Sequence, residues 1–537
     1  MDSNKMDRRL FLQTTAVAAT TAAITTTAID CGKGKPEKPP VETVKATPGA
    51  KPTPSVTPAP AATPAPAPAA TPAAAQATPT ASGPLLPSEA AREGPLVDTR
   101  PFKFGLIGCG SQALLNLLPA ALRIAGVKIT AVCDILPARA QAAQKLAGGQ
   151  AKIYDDWKAL LKEADMDGVI IATPLVFHRP MAEDAFKNGR HVFCEKTMAY
   201  SIDDCKAMLR AQMASGRILQ IGHHLRYHPL YYFANLHYII NHQLLGKISN
   251  VHCQWNRNGT WRRPAEPMAG VDFKKWGYDD ADHVINWRLY RKYSGGLMTE
   301  LASHQLDVVN WFLGDQLPQA VVGVGKTDNK DGRTIFDNVH LVYEYPEGVV
   351  MTYESMTTNA FSPFGEAYEM FQGEKATLVM AHLSKYVGLY FIEPGVAEEL
   401  WMPAAHRAPL ESPNLTQPVY KNPIILNGTP SPGSNIENIA NLVKIINVVN
   451  TEQAQTTMST YEIELRGFKR AVLDQVRPYC DGIVGLRSAI PALLGLEAME
   501  KNQRVVMNPS YLDLSATAGT AATTATAATT TSTKAGP

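Results

Sequence analysis

Phe104-Gly105-Leu106-Ile107-Gly108-Cys109-Gly110-Ser111-Gln112-Ala113 decides the fold of this chain. An apolar run reads as a strand and passes straight into a G-x-G-x-x-A turn, after which Gln112 to Ile124 reads as a helix. The chemistry explains the spacing. Gly108 permits the tight turn, Gly110 lets backbone approach a pyrophosphate, and Ala113 allows close packing of helix on strand. Ser111 and Gln112 open the helix, whose N-terminal N–H groups and dipole favour phosphate. A glycine pattern alone is weak evidence; placed between a strand and a helix it predicts a dinucleotide site.

Outward from the turn, short apolar runs alternate with helix-length segments. Lys128–Cys133, Gly168–Ala172, His191–Cys194 and Ile218–Ile221 read as further strands. Such βαβ alternation implies a parallel sheet with right-handed crossovers and helices on both faces. Asp134 ends the second strand, 24 positions after Gly110, where an acid accepts hydrogen bonds from the adenine-side ribose. That acid favours NAD; Arg139, one helical turn on, leaves NADP open as the alternative. Thr173, Pro174 and His178 follow one strand, and Glu195-Lys196 ends another, on the edge where open α/β sheets bind ligands.

These motifs in this order resemble the Gfo/Idh/MocA oxidoreductases, which include glucose–fructose oxidoreductase and inositol 2-dehydrogenase. The likeness continues through Gly222-His223-His224-Leu225-Arg226-Tyr227 and Gly246-Lys247-Ile248 to Gly295-Gly296-Leu297-Met298-Thr299-Glu300-Leu301-Ala302-Ser303-His304-Gln305-Leu306-Asp307. It implies an α/β architecture, a Rossmann domain at 99–222 followed by an α/β domain at 223–512 with an open, mixed, largely antiparallel sheet. The β-rich stretches 320–325, 339–345, 348–356 and 386–392 suit that sheet, which in the family often joins homo-oligomers. The resemblance further implies cofactor contacts from Gly108, Gly110, Ser111, Gln112, Ala113, Asp134, Thr173, Pro174, His178, Glu195 and Lys196. Lys196 and His304 become the expected catalytic pair, with Glu300 orienting His304 or the substrate. Arg226, Trp287, Arg288 and Asp307 are expected on the substrate side. Two motifs depart from the family: E-K-P reads Glu195-Lys196-Thr197, and D-x-G-x-H reads Glu300-Leu301-Ala302-Ser303-His304.

Read by periodicity, Gly296–Leu313 is a largely apolar helix whose Glu300, His304 and Asp307 fall on one stripe at i, i+4 and i+7. Ionisable groups on an apolar helix need partners or a task; a bracing network and a cleft-facing stripe are both open. Trp255 to Arg263 and Ile285 to Tyr290 interleave aromatic faces with Asn and Arg donors, a combination suited to sugar rings. His223, His224 and His228 match no metal-binding spacing, so no metal is expected.

The termini read differently. Asp7-Arg8-Arg9-Leu10-Phe11-Leu12-Gln13 and the mild apolar run to Ile29 resemble a twin-arginine export signal over 1–31. Cys31 is a candidate lipid-anchored cysteine, although Asp30 stands where a small residue is usual. Residues 36–95 hold 16 of the 39 prolines with Ala and Thr, so 32–98 is expected to be an unfolded arm; 513–537, rich in Ala and Thr, is its counterpart. Net charge is +2, from 51 basic and 49 acidic residues, which argues against nucleic acid or an anionic membrane as the main partner. No stretch reads as a secure membrane span, and the seven cysteines suggest no disulfide framework.

The expectation is therefore an exported, periplasmic NAD(P)-dependent oxidoreductase acting on a sugar, polyol or glycoside. A net-hydrolytic NAD-dependent glycosidase and a non-catalytic nucleotide-binding protein are the alternatives. Export in the folded state implies a tightly bound cofactor, clamped beyond the glycine turn, and the 32–98 arm is the spare segment for that clamp.

Overall fold

The computed structural model describes residues 98–515, apart from 242, 269, 384–387, 394–423 and 426–458. The expected signal with Cys31, the arm up to residue 97 and the tail beyond 515 lie outside the described residues.

Six parallel strands build the first sheet: β1 (Phe102–Ile107), β2 (Val127–Cys133), β3 (Lys152–Tyr154), β4 (Gly168–Ile171), β5 (His191–Glu195) and β6 (Leu219–Gly222). Their order is β3-β2-β1-β4-β5-β6. Strands β4 and β5, inside the sheet, and β6 at its edge are buried residue after residue, as expected where helices cover both faces. The crossover helices are α1 (Ala113–Arg123), α2 (Pro137–Leu146), α3 (Trp157–Glu163), α4 (His178–Lys187) and α5 (Ile202–Ser215). The order reverses between β1 and β4, and the crevice beyond their carboxyl ends is where such sheets take ligands.

The second sheet runs β14-β13-β12-β11-β7-β10-β9-β8-β15. Its central strands are β7 (Ile248–Asn256), β8 (Ala320–Lys326), β9 (Asn338–Glu344), β10 (Val350–Met356) and β11 (Ala367–Gly373). The flank carries β12 (Ala376–Met380), β13 (Gly388–Ile392) and the two-residue β14 (Ile424–Ile425), while β15 (Val505–Val506) closes the other edge. The sheet is mixed because β7 pairs in parallel with β10; the other neighbours among the described residues are antiparallel. Alternation is clear in β9, where Leu341 and Tyr343 are buried and Val342 is 39 % exposed.

Helices α6 (Ser303–Phe312) and α8 (Gly482–Lys501) pack on this sheet, while α7 (Thr460–Asp474) packs on the first domain. Pro491 inside α8 cannot donate to the Arg487 carbonyl, and the Asn310 side chain supplies that bond instead at 3.1 Å. By length and composition α8 is apolar enough to cross a membrane, which the sequence reading did not anticipate. Most of its apolar residues, among them Leu486, Ile490 and Leu494, are instead buried in the core, with Ile483 exposed.

A domain boundary also needs correcting. Helix α7, expected to belong to the second domain, inserts Leu465, Phe468 and Val472 into the core of the first sheet. Phe468 stacks on Phe104 with centroids 5.8 Å apart and meets Phe102 and Phe193 edge-on. Helix α1 covers part of this apolar face, and the chain returns late to bury the rest.

Candidate functional site

The glycine turn is built as its chemistry requires. Gly108 has φ +89°, and a Cβ there would sit 2.6 Å from the Ala172 carbonyl oxygen, so the loops after β1 and β4 touch. A Cβ on Gly110 would meet nothing within 4 Å, leaving its backbone open to a ligand. Ala113 is fully buried where α1 begins. Asp134 takes the Cys109 N–H at 2.7 Å on one carboxylate oxygen and the Leu136 N–H at 2.8 Å on the other. Burial pushes its pKa up, against the pull of these donors and of Arg139. Each oxygen keeps a lone pair for a hydroxyl donor, so the carboxylate fits a ribose while also fixing the turn.

Beside the turn, Glu195 is buried and its pKa is raised by that burial. It accepts from Gln112 Nε2 at 2.7 Å, and Asn116 in turn donates to Gln112 at 2.8 Å. Thr173 lines the crevice, but His178 is a correction: both its ring nitrogens face backbone carbonyls, Thr173 at 2.9 Å and Thr197 at 3.0 Å. It ties the β4 loop to the β5 loop, so it offers no donor to a cofactor. Thr197, in place of the family's proline, holds the same loop by donating to the Thr299 carbonyl at 2.8 Å.

Lys196 donates to the carbonyls of Glu300 at 2.9 Å and Thr299 at 3.4 Å. An ammonium has three N–H groups, so one remains for an oxygen in the cavity. Burial pushes its pKa down, while the Glu300 and Glu195 carboxylates support its charge. The carbonyls it binds belong to a π-helical turn, Met298–Ala302, that leads into α6. His304 follows. Its Nδ1 is buried without a partner among the described residues, its ring lies 5.0 Å from His224 and 5.7 Å from Trp255, centroid to centroid. Burial first, then the Lys196 charge, drives its pKa well below the ordinary range, so the ring is neutral and able to accept a proton.

Glu300 does not orient His304. Its carboxylate takes Arg288 Nε at 2.9 Å and the Ser294 hydroxyl at 3.2 Å, and Arg288 in turn lies 4.3 Å over the Trp287 ring. The polar stripe divides for a geometric reason, since three residues turn a helix by about 300°, leaving Asp307 some 60° around from His304. Asp307 therefore points inward. It is 1 % exposed and accepts Arg226 Nε at 2.9 Å and 3.0 Å, with Ser488 donating to it and Asp315 taking Arg226 at 3.1 Å. Arg226 and Asp307 are thus a buried brace and not substrate ligands; neither lines the cavity.

That cavity, about 530 Å³, holds Lys196, His304, Glu300, Trp287 and Arg288 together. Its wall also includes Trp255, Arg257 and Trp261, from the run of aromatic and Arg residues that suits sugar rings, with His224 and His228; His382 and Tyr461, which no motif marks, join them. Tyr461 stacks on His224 at 4.9 Å although 237 residues separate them in the chain. A narrower groove contains Gly108, Gly110, Ser111, Pro174, Asp134 and Arg139, and it joins the cavity at Gln112, Thr173, Arg263, Trp287 and Arg288, which line both.

Residues 102–223 match the family described as "Oxidoreductase family, NAD-binding Rossmann fold", and residues 239–413 match its "C-terminal alpha/beta domain". Inositol 2-dehydrogenase of Salmonella typhimurium is 30 % identical over 215 residues, 38 % of this chain and 63 % of the relative. The inositol 2-dehydrogenase of Burkholderia multivorans is 26 % identical over 248 residues, 46 % of this chain and 65 % of the relative. The chain thus spans just under two-thirds of the length of these curated relatives. In fold it is similar to the aldose-aldose oxidoreductase of Caulobacter crescentus, with TM-score 0.54 and 19 % identity over 76 % of this chain and all of that one. Sheet order, glycine turn, groove and the two domain matches agree: the chain belongs to the Gfo/Idh/MocA oxidoreductase family, with an NAD-binding Rossmann domain followed by the family's C-terminal α/β domain.

Proposed function

We propose that the protein oxidises a CH–OH group of a sugar, polyol or glycoside at a tightly held NAD, and that it does so after export. The observation that carries this reading is the convergence of Lys196 and a neutral His304 on a cavity continuous with the dinucleotide groove. The inositol 2-dehydrogenases, which by name act on a polyol, support it, as does the wall of Trp255, Trp261 and Trp287 with Arg donors. The Arg8-Arg9 segment supports export.

When bound, NAD supplies the hydride acceptor. Gly108, Gly110, Ser111 and Asp134 would hold it. Lys196 places its free N–H on the substrate hydroxyl oxygen and stabilises negative charge there. His304 takes the hydroxyl proton on its ring. Glu300 fixes Arg288, which with Trp287 presents a stacking face and donors to the ring hydroxyls. Asp134→Ala is expected to weaken NAD by about 1–3 kcal/mol, through lost charge-assisted bonds to ribose. Calorimetry giving an unchanged affinity would remove the ribose assignment.

The experiment for the whole reading is kcat/KM against pH over a panel of inositols, aldoses and glycosides, followed by nicotinamide absorbance. Lys196 must be charged, and its pKa is lowered, so activity falls as pH rises through a value below the ordinary lysine 10.5. His304 must be neutral, and its pKa is also lowered, so the acid limb lies well below 6.5. A broad plateau across neutral pH follows, and Lys196→Arg should remove the alkaline limb. An acid limb at or above 6.5 would assign the proton to another group; no hydride transfer to any CH–OH compound would sink the proposal.

A further inference from the structure

The second domain sends one segment back across the dinucleotide groove. Its base is fixed: Arg262 binds Asp282 at 2.8 and 2.9 Å and Asp331 at 3.2 Å. Asn286 clasps the Arg263 backbone, accepting its N–H at 2.7 Å. From this base two side chains reach the Rossmann domain. Arg263 Nη1 donates to the Ser111 hydroxyl of the glycine turn at 2.8 Å. Glu266 takes Arg139 through two parallel bonds, Nε at 2.9 Å and Nη2 at 2.6 Å. Further along, Trp276 packs on Trp157 at 5.2 Å and Tyr278 on Phe177 at 5.6 Å, so the crossing is anchored at its far end too.

The two contacts differ in what they leave unsatisfied. Arg263 makes no ion pair among the described residues, yet it is half-buried, with the Arg288 and Arg139 guanidiniums close enough to lower its pKa after burial itself. A guanidinium has five N–H donors, and one goes to Ser111. Held beside the open backbone of Gly110, the rest touch no anion among the described residues, Glu266 and Glu300 acting on them only through their charge, and a pyrophosphate would supply the direct partner. Arg139 is the opposite case. Its fork is filled by Glu266 in the bidentate geometry that a phosphate would otherwise take. A 2′-phosphate on the ribose would have to displace Glu266 and lie against Asp134.

Resting on the NAD-binding assignment, we propose that residues 262–266 are a cofactor strap. Arg263 binds the pyrophosphate of the dinucleotide, and Glu266, by holding Arg139, restricts the site to the nucleotide lacking a 2′-phosphate. The strap supplies clamping beyond the glycine turn, the role expected of the 32–98 arm, of which residues 32–97 lie outside the described residues.

The test is calorimetric binding of NAD and of NADP to nucleotide-stripped full-length protein, with the dissociation rate of bound NADH followed by fluorescence. Arg263→Ala should weaken both nucleotides by about tenfold or more and speed NADH release, because both carry the pyrophosphate. Arg263→Lys should recover part of the loss. Glu266→Gln should leave NAD within about threefold and strengthen NADP by about tenfold, since a neutral amide releases Arg139. Unchanged affinities in Arg263→Ala would overturn the pyrophosphate role. A Glu266→Gln protein in which both nucleotides weaken equally, or NADP does not gain, would overturn the selectivity role. Absence of NAD binding by the unmodified protein would overturn the cofactor assignment and the strap together, whereas the variant outcomes above strike the strap alone.

Discussion

Lys196→Ala and His304→Ala are each expected to lower turnover by about 10²–10⁴-fold while NAD stays bound. Neither change should disturb the fold. His304 Nδ1 has no partner among the described residues, so its loss breaks no bond there, and the Thr299 carbonyl served by Lys196 keeps the Thr197 hydroxyl. The two residues act on one hydroxyl, Lys196 on its oxygen and His304 on its proton. The double variant should therefore be far less than multiplicatively impaired. Rates on a working substrate, with nucleotide content measured in the same samples, check this. Turnover near that of the unmodified protein in either single variant would remove the pair from catalysis.

Asp307→Ala should act on stability instead, costing about 3–5 kcal/mol, because it strands the buried Arg226 guanidinium. Asp315 and the Trp311 ring, 5.4 Å from Arg226, compensate only in part. Replacing both partners by apolar residues of similar volume, Arg226→Met with Asp307→Leu, should restore part of the loss, since no fully buried charge is stranded and only the partly exposed Asp315 loses its partner. Urea unfolding of the two variants beside the unmodified protein decides the matter. A fully stable Asp307→Ala protein with a raised KM would return Asp307 to the substrate side, where the family resemblance had put it.

Both predictions bear on how far the sequence could be read. The Rossmann order was legible because β1, β2, β4, β5 and β6 are apolar runs ended by glycine or polar residues. β3 was not, being three residues at an edge with Lys152 and Ile153 exposed. Lys196 and His304 were legible because each sits in a local motif at a strand end or helix start. The stripe was misread at Asp307 because spacing places a residue on a helix face without revealing what lies opposite; here Arg226 waits in the interior. His382 and Tyr461 were hidden for a simpler reason. Each reaches the site from a remote part of the chain, and no local pattern encodes that meeting.

Helix α7 carries a consequence for synthesis. Phe102, Phe104 and Phe193 are covered by Phe468, a residue made some 270 positions after the last of them. As the chain leaves the ribosome at about 5–20 residues per second, that aromatic face stays open for tens of seconds. The nucleotide domain is first in order yet among the last to close, and its completion waits on a long-range contact of the kind that slows folding. Holding chaperones therefore have a defined interval and a defined surface on which to act.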